Sequence, residues 1–454
     1  MAKYQKYIEY KDSGVEWLEQ VPKDWEIIKI KHLSSVKRGA SPRPIDDPKY
    51  FDDSGEYAWV RIADVSASDT YLLHTTQTMS ELGSSLSVKL EPNQLFLSIA
   101  GTVGKPCINR IKACIHDGFV YFPELKIPNK FLFYVFAGEQ AYKGLGKMGT
   151  QLNLNTDTVG DIKIALPKSI EGIQQVINFL DYETAQIDTL IAKQEKLIEL
   201  LKEKRQAVIS RAVTKGLNPN VPMKNSGVEW LGKVPEHWHT TRIKYVAELT
   251  PKKSEVLNTD NRLCTFVPME KLKLGRLIKD EEKPISEVIG GYTYFKDGDL
   301  LLAKVTPCFE NKNMVVASGL KNGIGFGSSE IYVLRTNNSI SNQFLYYRLQ
   351  EEQFMELGTG AMTGAGGLKR VPSEFLNNFI FALPPLEEQF TIAEYLDRYL
   401  LKSEYLMNQA KSAIQLMQER RTALISAAVT GKIDVRDWQN PNKNNNQDNM
   451  ELSA

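Results

Sequence analysis

Residues 13–31 read SGVEWLEQVPKDWEIIKIK, and residues 226–244 read SGVEWLGKVPEHWHTTRIK. Eleven of these nineteen positions are identical, at a constant offset of 213. A second repeat lies further along the chain, where KEKRQAVISRAVT (202–214) and QERRTALISAAVT (418–430) share eight of thirteen positions. A period this long indicates a duplicated, domain-sized unit rather than a solenoid. The sequence is therefore predicted to contain two copies of one unit.

Each copy is predicted to consist of a short opening segment containing SGVEWL, a globular region that matches poorly between copies, and a long terminal helix. The polar, Asn-rich C-terminus is typical of a disordered tail. The predicted divisions are an N-terminal conserved segment (1–24), a first variable domain (25–165), a central long helix (166–216), a linker with the repeated SGVEWL segment (217–237), a second variable domain (238–383), a C-terminal long helix (384–434) and a disordered tail (435–454).

The two terminal helices carry apolar residues at spacings of three and four, which indicates a heptad seam. A helix of this length spans roughly 65 Å and cannot bury such a stripe alone. We predict that the two helices form an antiparallel coiled coil; the alternative is that each packs only on its own domain. The predicted seam consists of Ile187, Leu190, Leu197, Leu201 and Val208 in the first helix, and Leu406, Ala410, Met417 and Leu424 in the second.

The variable regions alternate short strand-like runs with turns. Residues 91–108 are predicted to form a strand, a Gly-rich turn and a strand, and 296–316 are predicted to be their counterpart. Further strands are predicted within 55–66 and 328–336, and helices within 131–142 and 341–357. The predicted fold class is α+β, with two similar mixed α+β domains separated by an antiparallel coiled coil of two long helices and related by a pseudo-twofold internal repeat.

The composition excludes several classes of protein. The 454 residues are 42% hydrophobic and 24% charged, as in ordinary globular proteins. No apolar run approaches the ~20 residues of a membrane span, and the N-terminus lacks the apolar region of a secretory signal. A cytoplasmic protein without membrane contact is therefore expected, with its four cysteines as free thiols. The formal net charge of +1 excludes a globally basic nucleic-acid binder but permits a local basic patch.

Sequence patterns that carry catalysis are missing. The string Gly144–Gly149 fits G-x-G-x-x-G without a clear preceding strand, and Gly101–Lys105 reads as a hairpin turn because it lacks P-loop spacing. The histidines and cysteines do not cluster at zinc-ligand spacings, and no pattern of a nucleophile or an amino-methyltransferase is present. We predict no catalytic residue, no metal site and no cofactor bound by this chain.

Basic and hydroxyl side chains near the predicted turns are suited to binding a polyanion. The first variable region has sixteen Lys/Arg and fifteen Asp/Glu, and the second has eighteen and sixteen, so such a ligand requires charges sorted onto one face. Solvated surface charge is the alternative for most of them. The candidates are Lys37, Arg38, Arg43, Arg61, Thr102 and Lys105 in the first region, and Lys252, Lys304, Thr306, Lys312, Ser328, Lys369 and Arg370 in the second.

The chain resembles the specificity subunits of type I restriction–modification enzymes. The resemblance rests on the duplicated SGVEWL opening, the phrases LFLSIAGTVGKPCI and GIGFGSSEIYVLR, and ALPPLEEQ (382–389) leading into a long helix. The first copy departs from the last pattern, since ALPKSIEGIQQ (165–175) lacks the second Pro and the Glu-Gln pair. The match covers nearly the whole chain except the tail.

The resemblance implies a non-catalytic subunit that recognises double-stranded DNA. Each variable region would be a target-recognition domain that reads half of a bipartite target. The long helices would act as a spacer and as a docking surface for two methyltransferase subunits, which bind S-adenosylmethionine, and restriction/translocase subunits would join the complex. Two other interpretations remain: a self-sufficient methyltransferase or nuclease, and a two-headed protein scaffold that does not bind DNA.

Overall fold

The computed structural model describes residues 4–142, 154–256, 261–365 and 367–441. The chain divides into two compact units, the first formed by residues 1–194 and 411–454 and the second by residues 195–410. Each unit therefore contains one variable domain together with half of each long helix. The division at the middle of both helices was not among the predicted boundaries.

Up to the centre of the chain, the elements are short apart from one long helix. The strands are β1 (Tyr10–Asp12), β2 (Gln20–Pro22), β3 (Glu26–Lys29), β4 (Lys37–Arg38), β5 (Tyr57–Val60), β6 (Tyr71–Leu72), β7 (Gln77–Met79), β8 (Val88–Leu90), β9 (Leu95–Ser98), β10 (Pro106–Asn109), β11 (Ala113–Ile115), β12 (Phe119–Tyr121) and β13 (Lys163–Leu166). The helices are α1 (Ile30–Leu33), α2 (Ile62–Ala67), α3 (Glu81–Ser85), α4 (Asn129–Ala137), α5 (Thr156–Asp161) and the long α6 (Ile170–Lys215).

The remainder of the chain repeats this arrangement. The strands are β14 (Met223–Asn225), β15 (Lys233–Pro235), β16 (His239–Arg242), β17 (Ala247–Leu249), β18 (Leu263–Val267), β19 (Leu272–Lys273), β20 (Arg276–Leu277), β21 (Glu282–Pro284), β22 (Thr293–Lys296), β23 (Leu300–Ala303), β24 (Met314–Val316), β25 (Ile324–Gly327), β26 (Ile331–Thr336), β27 (Thr363–Ala365), β28 (Leu368–Arg370) and β29 (Ile380–Leu383). The helices are α7 (Ile243–Val246), α8 (Ile285–Val288), α9 (Asn342–Leu349), α10 (Glu352–Gly360), α11 (Ser373–Asn378) and the long α12 (Leu386–Val429).

The two variable domains share the topology of one four-stranded sheet despite their poor sequence match. The first contains a four-stranded sheet of order β7-β5-β11-β8, and the second contains the equivalent order β21-β18-β25-β22. In both sheets the central pair is parallel and the flanking pairs are antiparallel. The other main sheets are β4-β12-β9-β10-β6 and β17-β26-β23-β24. The predicted mixed α+β fold and internal repeat are confirmed.

Strand pairing next to the SGVEWL repeat joins the two ends of each variable domain. Strand β3 pairs antiparallel with β13, which directly precedes α6, and β16 pairs in the same way with β29, which precedes α12. The tryptophans that precede β3 and β16 are buried: Trp25 is 2% exposed and Trp238 is 0% exposed. The repeated sequence therefore encodes the junction where the variable domain, its two ends and the long helix meet.

Two of the shorter predicted elements are each divided into two elements. The run 55–66 is β5 only to Val60 and then becomes α2, because the Asp64 carboxylate accepts the Arg61 backbone N–H at 2.8 Å and caps the helix. The run 341–357 is two helices, capped separately by the Ser341 hydroxyl and the Glu351 carboxylate. The predicted strand–turn–strand at 91–108 corresponds to the antiparallel pair β9 and β10.

Each unit pairs opposite ends of the two long helices. In the first unit, Asp188 of α6 accepts hydrogen bonds from Arg421 of α12, the closer at 2.8 Å, and Ile187 and Leu424 belong to one buried core. In the second unit, Ile209 of α6 and Leu396 of α12 share a core. The first half of α6 thus packs with the second half of α12, and the second half of α6 packs with the first half of α12. This is the predicted antiparallel arrangement.

Three of the nine predicted seam residues are displaced by one position. Ile187, Ala410 and Leu424 are buried, and Leu201, Val208 and Met417 are half-buried. Leu190, Leu197 and Leu406 are instead 49%, 42% and 41% exposed, so their assignment to the seam is wrong. Their neighbours Ile191, Ile198 and Met407 are half-buried, and Ile191 packs against the core of the first unit. Spacings of three and four alternate in either order, and adjacent apolar residues make both orders fit the sequence.

The predicted tail begins too early. Val435 is 2% exposed, and the ring of Trp438 packs 5.7 Å from that of Phe179 in α6. The Asp434 backbone N–H donates to the Gln5 carbonyl at 2.9 Å, which joins the end of the chain to its beginning within the first unit. A disordered tail starting at 435 is therefore wrong for 435–438, and 442–454 lie outside the described residues.

A tyrosine–aspartate hydrogen bond joins each variable domain to its own long helix. The Tyr134 hydroxyl of α4 donates to Asp181 of α6, and the Tyr347 hydroxyl of α9 donates to Asp397 of α12. Asp181 and Asp397 occupy equivalent positions, at the same offset of 216 that relates the ends of the long helices. Burial, together with the neighbouring carboxylate, raises the pKa of both tyrosines well above the usual value, so both hydroxyls remain donors.

The second unit contains a fully buried ion pair between Arg348 and Glu351. Arg348 is 0% exposed and donates to Glu351 at 3.1 Å, while its guanidinium lies 5.5 Å from the Trp230 ring and 5.3 Å from the Phe379 ring. Glu351 also accepts the Ser210 hydroxyl of α6 at 3.2 Å. Burial lowers the pKa of Arg348, because the cation leaves water. This pair connects the repeated SGVEWL segment, the variable domain and the long helix.

The displaced seam predicts different effects from truncating two neighbouring residues. Ile191→Ala removes core contacts and should lower the free energy of unfolding of the chain by about 1–3 kcal/mol. Leu190→Ala removes an exposed side chain and should change it by less than about 0.5 kcal/mol. Denaturant titration of both variants checks the register, and a larger loss for Leu190→Ala would restore the heptad predicted from sequence.

Removing one member of the buried pair should cost more than removing both charges. Arg348→Met leaves Glu351 buried without its cation and should cost about 3–5 kcal/mol of stability. The double variant Arg348→Met/Glu351→Gln keeps an oxygen for the Ser210 hydroxyl and should recover most of that loss. The measurement is chemical denaturation of the three proteins. Equal stability of the single and double variants would mean that the pair does not carry a buried charge.

Candidate nucleic-acid interface

The first variable domain has a cleft of about 700 Å³ on its four-stranded sheet. Its walls combine cationic, aromatic and amide side chains, among them Arg43, Trp59, Arg61, Gln77 and His116. Two of these, Arg43 and Arg61, are predicted polyanion contacts. The cleft therefore gathers the side-chain types that bind base edges and phosphates.

Strand pairing positions the residues of this cleft. Gln77 of β7 lies directly opposite Trp59 of β5 in the antiparallel register, and Arg61 follows two residues after Trp59 at the start of α2. His116 immediately follows β11, which pairs parallel with β5. Residues from three separate stretches of sequence therefore meet at one edge of the sheet.

Asp117, which lines the cleft, accepts hydrogen bonds from two arginines. Arg38 of β4 donates through Nε to the Asp117 carbonyl at 2.6 Å, and Arg43 donates to the Asp117 carboxylate at 3.0 Å. The side chain of Arg43 is still 74% exposed. Lys37, the neighbour of Arg38, is exposed on the same short strand. The structure thus brings Arg38 and Arg43 together at Asp117, whereas the side chain of Lys37 points to the opposite face of the strand from that of Arg38.

His116 contributes a neutral imidazole to the cleft. Burial lowers its pKa below 6.5, and the nearby Asp117 opposes this shift only in part. Its Nδ1 accepts the Gly118 backbone N–H at 2.9 Å, so the neutral ring carries its proton on Nε2. At neutral pH the ring is therefore a hydrogen-bond donor rather than a cation.

The predicted turn residues Thr102 and Lys105 contact Ser66, near the C-terminal end of α2. The Thr102 hydroxyl is 2.7 Å from that of Ser66, and Lys105 Nζ donates to the Ser66 carbonyl at 2.8 Å. Gly104 has a φ of +87° and contacts Tyr142 so closely that a Cβ would lie 2.9 Å from its ring. This is a packed hairpin turn, and Lys105 is engaged with the end of α2.

The second variable domain gathers five predicted residues around the hairpin of β27 and β28. The Thr306 hydroxyl accepts the Lys369 backbone N–H at 3.0 Å, and Arg370 forms a bidentate pair with Glu330, whose shortest distance is 2.8 Å. This pairing lowers the pKa of Glu330 and raises that of Arg370. Ser328 accepts the Glu330 backbone N–H, and Lys304 lies over the Tyr332 ring at 5.2 Å.

Two predicted contacts are not part of that group. Lys312 donates to Gln206 of α6 at 2.9 Å and to the Gln350 carbonyl at 3.0 Å, and burial lowers its pKa. This lysine joins the variable domain to the long helix, which argues against the predicted DNA contact. Lys252 is exposed near β17 and lacks an interaction with the hairpin group among the described residues.

The sequence interpretation missed Trp59, Gln77 and His116 as members of a site. Nothing in their local sequence distinguishes them from other strand residues, because they meet only through the β7-β5-β11 strand order. Within the described part of the chain, no group of three or more His, Cys, Asp or Glu suits a metal ion, and no helix is long and apolar enough to cross a membrane. The G-x-G-x-x-G string at 144–149 lies outside the described residues.

Comparison with known proteins identifies the family. The model of the type I restriction modification DNA specificity domain matches residues 22–200 and 291–416, which is more than half of the chain. The EcoEI specificity subunit of Escherichia coli is 34% identical over 197 residues, which cover 43% of this chain and 33% of that protein. This chain thus matches only about a third of that relative's length. The MjaVIII specificity subunit of Methanocaldococcus jannaschii is 23% identical over 448 residues, covering 92% and 95%.

Solved structures have the same fold. A chain from a study of complex assembly and conformational transition of the type I R-M system superimposes with a TM-score of 0.66 at 15% identity, covering 91% of this chain and 99% of that one. The HsdS subunit from Thermoanaerobacter tengcongensis gives a TM-score of 0.51 at 15% identity, covering 91% and 98%. With its duplicated domains and paired long helices, the chain belongs to the type I restriction–modification DNA specificity family.

Proposed function

We propose that this chain is the DNA-specificity subunit of a type I restriction–modification complex and that its two variable domains read the two halves of a bipartite target. The observation that carries this proposal is that the two domains share a four-stranded sheet of equivalent strand order but place different side chains on it. Helix α2 is preceded by Arg61 in the first domain, whereas Pro268 occupies the corresponding position after β18 in the second. Two readers of different base sequences require this combination, since base edges are distinguished by the side chains presented to them.

The chemistry belongs to partner subunits in this proposal. Membership in a specificity family and the absence of a catalytic pattern in the sequence support a recognition role for this chain. Methyltransferase subunits would supply S-adenosylmethionine and methylate the DNA, and restriction/translocase subunits would join them. DNA methylation by the isolated, contaminant-free chain would support the rival interpretation of a self-sufficient enzyme.

The long helices provide a surface for methyltransferase subunits. They expose large apolar side chains, including Leu401 (69%), Leu416 (65%), Tyr405 (62%) and Leu190 (49%). Burying such groups against a partner is favourable by about 25 cal/mol per Å² of apolar surface, and exposed apolar patches often mark interaction sites. The leucines that are displaced from the seam belong to this exposed set. Two copies of the unit would give two docking positions.

Exchanging one variable domain should change one half of the target. Replacing residues 25–165 with the corresponding domain of a different specificity subunit leaves the second domain intact. Adenine methylation should be mapped across the genome of a host that expresses the chain with its methyltransferase subunit. One half-site should change and the other should remain. A change in both halves, with normal complex assembly, would contradict the two-reader proposal.

Charged substitutions on the exposed leucines should disrupt assembly without unfolding the chain. Leu401→Glu and Leu416→Glu should each weaken co-purification with the methyltransferase subunit by at least tenfold, while stability changes by less than about 0.5 kcal/mol. Gln409→Glu, an exposed polar position on the same helix, is the matched control and should assemble normally. Full assembly of both leucine variants would exclude these residues from the docking surface.

A further inference from the structure

We propose that Arg61 reads a guanine in the half-site of the first variable domain and that Gln77 is the residue that positions it. This inference rests on the proposed function and adds to it a base and a pair of residues.

The position of Arg61 is fixed at both its backbone and its side chain. The Asp64 carboxylate accepts its backbone N–H at 2.8 Å, which anchors it at the start of α2. Its guanidinium donates to the side-chain oxygen of Gln77, which lies on β7 opposite Trp59. A long side chain anchored in this way loses less conformational entropy on binding than a free one.

Two arginines line the cleft, and Arg61 is the one whose guanidinium has no carboxylate partner. Arg43 donates to the Asp117 carboxylate at 3.0 Å. Among the described residues, the Arg61 guanidinium has no carboxylate within 4 Å, and the oxygen of Gln77 that accepts its hydrogen bond is neutral. The adjacent imidazole of His116 is neutral at pH 7 as well. Asp46 and Asp117 also line the cleft, and Arg61 is the arginine in it that remains available to an electron-rich base edge without breaking an ion pair.

The donors of this pair match guanine. A guanidinium has five N–H donors, and one of them is used by Gln77. The Gln77 oxygen is occupied, so its amide presents N–H donors on the other side. In the major groove guanine offers two acceptors, N7 and O6, whereas cytosine presents a donor. An arrangement that offers donors and a positive charge favours guanine over its pairing partner.

The test uses the complete complex with its methyltransferase subunit and begins with the wild-type methylation pattern. Arg61→Ala and Arg61→Lys should each reduce discrimination for one guanine in the first domain's half-site by about ten- to hundredfold, because a bidentate contact is lost. Gln77→Ala should relax the same position by a smaller factor. Arg110→Ala, an exposed arginine packed on Tyr71 outside the cleft, is the control and should leave the pattern unchanged.

Binding to specific and random duplexes separates base reading from phosphate contact. A base contact predicts that Arg61→Lys weakens binding to the specific duplex and leaves random-duplex affinity and its salt slope unchanged. A phosphate contact predicts a different result. Arg61→Ala would then lose the same affinity for both duplexes, its salt slope would fall by about 0.9, and Arg61→Lys would discriminate normally. This result would overturn the inference.

A wild-type half-site without guanine, or an unchanged pattern in all Arg61 variants, would also overturn the inference. The proposed function fails separately, if the wild-type complex yields no bipartite pattern. If Arg61→Ala does not fold, Arg61→Lys decides the question, because it retains the charge and the length of the side chain.

Discussion

The burial of one apolar stripe on each long helix is the interaction on which both units depend. Neither α6 nor α12 can bury its apolar stripe by itself. Each half of one helix therefore packs against half of the other. In the first unit Ile187 and Leu424 share a core with the variable domain, and in the second Ile209 and Leu396 do so. Because the stripe is continuous with the domain core, the helices and the variable domain of each unit stabilise one another.

The attachment of each domain to the helices is repeated more faithfully than the domain itself. Tyr134 with Asp181 and Tyr347 with Asp397 form the same hydrogen bond at equivalent positions. The β3–β13 and β16–β29 pairs close the domains in the same way. A recognition protein gains from this division, because its base-contacting residues can vary on a scaffold whose attachment remains constant.

The two copies have diverged where the variable domain meets the long helices. Helix α9 contains Arg348, and Glu351 lies shortly after this helix. The corresponding residues of the first copy are Val135, in α4, and Gly138, directly after α4. Gly138 lies close to Ser426 of α12, whereas Glu351 accepts the Ser210 hydroxyl of α6. One copy therefore fills this junction with a close backbone approach and the other with a buried ion pair.

The sequence by itself determined the duplication, the two long helices and the α+β class of the domains, because identity at a fixed offset and apolar periodicity are local properties of the chain. It also indicated Arg43 and Arg61 as binding residues from their side-chain chemistry. Only the tertiary structure decided between Leu190 and Ile191, since adjacent apolar residues fit either heptad order and packing selects one. The grouping of Arg61 with Gln77, Trp59 and His116 likewise depends on the strand order β7-β5-β11. Local sequence does not encode that order, because it results from pairing between segments that are distant along the chain.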